Sequence, residues 1–210
     1  MKSKRILFVS IGLFFAFVLW TILVRFVDVK AIGPEGSYVG FASMNVFFHK
    51  KTGVNMWIYT MTDWLGLVPI AVAFGFAVLG LIQLIKRKKF FSVDRSILAL
   101  GGFYIVVMVA YAFFEFIVVN YRPVMIDGYL ESSYPSSTTM LVACVMPTAI
   151  MQLWTRIKPK IPRFVVIFAI VAFTAFMVIG RLISGVHWLS DIIGGILLSA
   201  SFVTAYRYFA

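Results

Sequence analysis

Cysteine is nearly missing from this sequence. Cys144 is the single one in 210 residues, so an intrachain disulfide and a cysteine metal cluster are both excluded. It sits inside an apolar stretch and reads as packing. Histidine is almost as scarce, with His49 and His187 alone. Two histidines and scattered carboxylates offer no zinc-ligand spacing, and no metal or cofactor is expected. Charge is the third shortage: Asp, Glu, Lys and Arg make up 13% of the chain, against about 25% in ordinary globular domains. What is present instead is apolar, 62% hydrophobic with 17% aromatic residues. A soluble chain of this length cannot hide that much apolar surface in one core, and disordered chains are poor in such residues. The composition is that of an integral membrane protein.

Length and freedom from charge mark spans at about 6–24, 64–85, 96–120, 136–155, 164–184 and 187–206. The expectation is an all-α integral membrane protein: a single domain over 1–210, built as a six-transmembrane-helix bundle. The basic start, Met1-Lys2-Ser3-Lys4-Arg5, resembles a signal peptide, but the apolar stretch is long and continues into Arg25 without a small-residue cleavage site. It reads as an uncleaved anchor. Between spans 1 and 2 the segment from Asp28 to Asp63 carries Gly33-Pro34, Gly36 and Gly53 as breakers, with Phe41, Phe47, Phe48, Met56, Trp57 and Tyr59. One or two short interfacial helices are expected there, as a lid or a lipid gate.

The net charge of +11 is unevenly distributed. The chain start, the 86–95 and 156–163 connections and Arg207 hold 13 basic residues against Asp94 alone. The other connections hold six basic residues against six acids. By the positive-inside rule the first set is cytoplasmic, which puts both termini inside a multi-pass cell-membrane protein. The charge is thus a topology signal with anionic-lipid contact, and nucleic acid is not expected as a partner.

The informative polar residues lie on the opposite, outer side. Tyr121-Arg122-Pro123 ends span 3, Tyr134-Pro135-Ser136-Ser137-Thr138 opens span 4, and Arg181 through His187 to Asp191 joins spans 5 and 6. Arg122 and Arg181 carry forked donors suited to phosphate oxygens. Pro135 with Ser136 and Ser137 suits a helix N-terminus, where hydroxyls cap the helix or bind an anion. His187 and Asp191 are four apart and share a helix face. Asp191 would orient the imidazole, whose free nitrogen would attack phosphorus. Each motif alone has an ordinary structural meaning: a snorkelling arginine, an N-cap, a helical ion pair. Their common side and order point to an anion site.

That order resembles the type-2 phosphatidic acid phosphatase superfamily, whose members have six membrane helices and an extracytoplasmic active site. The spacing from Gly180-Arg181 through His187 to Asp191 is its most specific part. The resemblance implies metal-independent removal of phosphate from lipid phosphates and pyrophosphates. It implies His187 as a nucleophile forming a phosphohistidine, Asp191 as its partner, and Arg122, Arg181, Ser136 and Ser137 as phosphate ligands. Candidate substrates are isoprenoid pyrophosphates, phosphatidic acid and phosphatidylglycerol phosphate. Two positions depart from the family pattern. Glu115 stands where a Lys is usual, seven residues before Arg122, and Thr138 stands where the family's general-acid His is usual.

An ionised Glu115 beside phosphate would repel it. Along a continuous helix it would lie about 10 Å below Arg122, and it is expected to pair with Arg122 or Arg181, or to stay protonated. Loss of the acid costs about 10²–10⁴-fold in rate and favours a pyrophosphate, whose leaving phosphate needs less help. His49 is a candidate replacement acid. Two readings stand beside the enzyme: a relative that binds lipid phosphate without hydrolysing it, and a transporter built around intramembrane Glu115. Against the transporter, no pair of broken helices is visible in repeat positions. Gly194-Gly195 would allow close helix packing, within or between chains, and the oligomeric state stays open.

Overall fold

The computed structural model describes residues 4–210, and Lys2 of the basic start lies outside the described residues. The helices are α1 (Lys4–Phe26), α2 (Ala42–Thr52), α3 (Met56–Leu65), α4 (Leu67–Arg87), α5 (Arg95–Phe116), α6 (Ser137–Arg156), α7 (Lys160–Ile183) and α8 (Leu189–Phe209). Six helices are long and apolar enough to cross a membrane, with α3 and α4 forming one stretch, Met56–Arg87. The short strands β1 (Lys30–Ala31) and β2 (Tyr38–Val39) pair antiparallel before α2.

Burial divides the helices into two kinds. Half of the apolar window of α6 and of α8 is buried, against 6–22% for the other candidate spans. So α6 and α8 form the centre, and α1, α4, α5 and α7 surround them with large apolar side chains such as Phe8, Phe74 and Phe168 turned outward. In a bilayer that outward face meets lipid at no cost. The centre is where the small and polar residues are. Ser10 of α1 and Ser201 of α8 donate to each other's backbone carbonyl at 3.0 Å, and the indole of Trp20 donates to the Ser190 carbonyl at 3.1 Å.

At the basic end, Asp94 binds Arg87 at 2.9 Å and Arg156 at 3.6 Å, and accepts from Gln83 at 2.9 Å. This ties α4, α5 and α6 together. The Arg87 guanidinium beside Asp94 holds that carboxyl below its usual value.

Two departures from the sequence reading concern the opposite end. The helix expected to reach Asn120 stops at Phe116, so Arg122 lies in an extended segment bridged to Ser132 rather than at a helix end. The Ile117-Val118-Val119 run is β-branched and costly to hold in a helix, and unwinding lets Asn120 reach Asp191. The segment between the first two spans is also more than an interfacial lid. Besides its two short helices it has a two-stranded hairpin, and it packs under the polar ends of α7 and α8.

Gly194 packs inside the chain: a Cβ there would sit 2.6 Å from the ring of Tyr134. That ring cannot retreat, because it is 1% exposed and its hydroxyl bonds Thr21 at 2.7 Å. Gly194→Ala should therefore cost roughly 1–3 kcal/mol and lower the thermal unfolding midpoint in detergent. An unchanged midpoint would contradict this packing.

Candidate functional site

A cavity of about 590 Å³ opens at the end of the bundle away from the basic connections. Its wall includes Arg122, Ser137, Thr138, Arg181 and His187, brought together from the 117–136 loop, the start of α6, the end of α7 and the turn before α8. Ser136 and Asp191 stand just behind it, each fully buried and bonded through the Ser136 N–H to the Asp191 carbonyl at 3.1 Å. The Ser136 hydroxyl occupies an N-cap position without making a cap bond, and it has no partner.

His187 owes its place to a turn that only glycine fits. Gly185 has φ +69°, and a Cβ there would lie 1.9 Å from the Gly53 carbonyl oxygen. The chain then enters α8 with Asp191 capping it: the Trp188 N–H donates to Asp191 Oδ2 at 2.9 Å. The imidazole is 1% exposed. Its Nδ1 lies 3.1 Å from the Ser133 carbonyl oxygen, which accepts only from an Nδ1–H, and 3.8 Å from Asp191 Oδ2. Nε2 is buried with no hydrogen-bond partner among the described residues. The geometry thus selects the tautomer that leaves the Nε2 lone pair free. Burial, with the charges of Arg122 and Arg181, holds His187 well below its ordinary pKa, while the Ser133 bond opposes the shift. The imidazole is neutral at neutral pH.

The sequence reading gave Asp191 the task of orienting His187. The carbonyl of Ser133 makes the close contact instead. Asp191 is anchored by Trp188 N–H, by Asn120 Nδ2 at 3.3 Å and by the Ser190 hydroxyl at 3.3 Å. Its carboxylate stands near enough to the ring to stabilise positive charge developing there.

Both arginines are buried, and each has a carboxylate of its own. Arg181 Nη2 donates to Asp63 at 3.2 Å and to the Thr138 hydroxyl at 2.7 Å, and Nη1 reaches the Thr62 hydroxyl at 3.4 Å. Arg122 Nε is 3.0 Å from Glu131 Oε2, close enough for an ion pair but not aligned as a hydrogen bond. Among the described residues Arg122 Nη1 and Arg181 Nε have no hydrogen-bond partner. A buried guanidinium with an idle N–H loses the hydration of that donor. An oxyanion in the cavity would satisfy it.

Two sequence expectations are corrected here. Glu115 pairs with neither Arg122 nor Arg181: it lies on the cavity wall near the end of α5, while Glu131 and Asp63 take those partners. The reason is the early end of α5, which removes the helical register that would have set Glu115 below Arg122. His49 is not on the cavity wall. Its Nε2 is 3.1 Å from the Gly185 carbonyl and its ring lies 5.4 Å from that of Trp188, so it braces the turn from behind. Thr138 does line the cavity, but its hydroxyl is engaged by Arg181.

Sequence reasoning missed Tyr59, Asp63, Glu131 and Ser133. Asp63 and Glu131 were visible as acids on the outer side. Nothing in their spacing linked them to an arginine more than 100 residues away or across a hairpin turn. Ser133 contributes a backbone atom, which no side-chain motif reports. Among the described residues no group of three His, Cys, Asp or Glu side chains is placed to hold a metal ion.

Residues 113–210 match the model of the PAP2 superfamily. Among solved structures the chain is similar to the first transmembrane PAP2 type phosphatidylglycerolphosphate phosphatase from Bacillus subtilis, with 17% identity, 94% of each chain covered and a TM-score of 0.59. That likeness is one of fold. No curated protein matches the chain.

The depressed basicity of His187 has a direct readout. Its folded pKa lies below the ordinary 6.5, so the neutral form persists as pH falls through that value. Ring ¹⁵N NMR of the protein in detergent, with His49 assigned by substitution, should show a neutral, Nδ1-protonated His187 at pH 6.5. An imidazolium signal there would contradict the site electrostatics.

Proposed function

Because residues 113–210 match the PAP2 superfamily and the chain has a fold similar to that of a PAP2 type membrane phosphatase, we propose that it removes phosphate from a lipid phosphate or pyrophosphate, with His187 as nucleophile. The observation that carries the reading is the buried, unpartnered Nε2 of His187 beside idle N–H donors of Arg122 and Arg181. A phosphoryl group seated on those donors would have its phosphorus in reach of the Nε2 lone pair.

The proposed chemistry has two steps. Nε2 attacks phosphorus, the bond from phosphorus to the leaving oxygen breaks, and the imidazole takes up positive charge. The Ser133 carbonyl keeps its hold on the Nδ1–H, and Asp191 at 3.8 Å stabilises the charged ring. Water then attacks the phosphohistidine, releasing phosphate and restoring neutral His187. Arg122 and Arg181 balance charge on the phosphoryl oxygens in both steps. Ser137, at the start of α6 on the cavity wall, is placed to add a donor.

The leaving group argues for a pyrophosphate. Thr138 stands where the family usually has its acid, and a hydroxyl is no proton donor at neutral pH. Its oxygen is occupied by Arg181. A leaving phosphate needs no such proton, whereas an alkoxide does. An isoprenoid pyrophosphate therefore suits the site better than phosphatidic acid or phosphatidylglycerol phosphate. The basic residues at the opposite end of the bundle support cytoplasmic termini and an active site on the outer face. The lipid tail would stay in the bilayer while the headgroup enters.

The same occupied hydroxyl favours a second reading, in which the site binds lipid phosphate without turnover. Phosphate release by purified protein separates the two. Wild type and His187→Ala should be compared on an isoprenoid pyrophosphate and on phosphatidic acid. The expected result is release from the pyrophosphate exceeding release from the monoester, and at least a 10³-fold loss, on the order of that for removing a nucleophile, in the variant. Saturable lipid-phosphate binding with no release above the variant would select the second reading.

A further inference from the structure

We infer that Tyr59 is a positioning residue, its ring holding the guanidiniums of both Arg122 and Arg181 beside the cavity for an oxyanion. The inference rests on the phosphatase reading only for the identity of the anion. Tyr59 lies on α3 and on the cavity wall, outside every motif that the sequence pointed to.

Its ring centre is 5.0 Å from the guanidinium carbon of Arg181 and 5.9 Å from that of Arg122. Both distances fall within the range of cation–π attraction. One aromatic ring thus serves two cations that come from different elements, the 117–136 loop and the end of α7. Together the distances keep the guanidiniums within about 11 Å of each other. Like charges that close repel when water is scarce.

The carboxylates are poor candidates for that task. The side chains of Asp63 and Glu131 are 57% and 42% exposed, so water competes for each. The helix that carries the ring is tied to Arg181 directly. The backbone carbonyl of Tyr59 accepts from Arg181 Nη1 at 3.5 Å, and Thr62 and Asp63, one turn further along α3, hold the same guanidinium. Among the described residues the Tyr59 hydroxyl makes no hydrogen bond, which assigns the effect to the ring and leaves the hydroxyl dispensable. The short helix between the first two spans thereby becomes part of the anion site.

The test uses full-length protein in detergent, with orthovanadate as the probe, and reads both its dissociation constant and the KM and kcat of phosphate release. Tyr59→Leu should weaken orthovanadate and raise KM by roughly 5- to 30-fold, the range of a desolvated cation–π contact, with kcat changed less. Tyr59→Phe should restore wild-type values. Replacing Tyr59 by 4-cyanophenylalanine keeps the shape and drains the ring of electron density, and should fall between the two. If Tyr59→Leu does not fold, the comparison of Phe with 4-cyanophenylalanine decides. Orthovanadate binding as tight in Tyr59→Leu, or in the cyano variant, as in Tyr59→Phe would overturn the inference. So would a Tyr59→Phe protein as weak as Tyr59→Leu, which would put the role on the hydroxyl. A wild type that binds orthovanadate but releases no phosphate would refute the phosphatase reading and leave the Tyr59 comparison intact.

Discussion

The burial of Arg181 governs the architecture around it. A guanidinium that is 1% exposed must find partners or cost several kcal/mol. Its partners come from two places: Thr138 at the start of α6, and Tyr59, Thr62 and Asp63 on α3. One charged side chain thus fixes where α3, α6 and α7 meet. It also sets the chemistry, because the charges of Arg181 and Arg122 disfavour protonation of the neighbouring His187. Two guanidiniums and a neutral imidazole on one cavity wall are the combination on which the proposed phosphate site rests.

A second, fully satisfied polar network holds the other half of the site. Asn45 of α2 donates to the Ser190 hydroxyl at 2.9 Å and accepts from the Ser190 N–H at 3.1 Å, and Asn120 bonds both the Gly40 N–H and Asp191. These bonds fix the start of α8, and with it the direction in which His187 points. Such networks are costly when a member is missing and rigid when complete. The contrast with the cavity is informative. Within that network Asn45, Asn120 and Ser190 all use their side chains, whereas Arg122 Nη1, Arg181 Nε and His187 Nε2 are left without partners among the described residues.

Much of this was legible in the sequence. Apolar runs of membrane length, with basic residues collected on alternate connections, gave the all-α bundle of membrane helices. Arg122, Thr138, Arg181 and His187 were brought to one side by topology alone, and the structure gathers them around one cavity. What the sequence hid was of two kinds. Some was backbone: the Ser133 carbonyl that selects the imidazole tautomer, and the unwinding after Phe116 that cancels the helical register between Glu115 and Arg122. The rest was long-range pairing. Asp63 and Tyr59 belong to a short amphipathic helix whose residues read equally well as an interfacial lid, and only the fold brings them to Arg181. The segment between the first two spans therefore belongs to the site, with α3 in its wall and α2 bracing the start of α8.

The central claim is that the free Nε2 of His187 takes the phosphoryl group. Acid-labile, base-stable phosphate on the peptide containing His187 tests it most directly. The protein would be mixed with a lipid pyrophosphate labelled in its terminal phosphate and quenched in base within one turnover. The account predicts label on that peptide, appearing before free phosphate. Phosphate release from folded protein with no label on His187 at any time would contradict it.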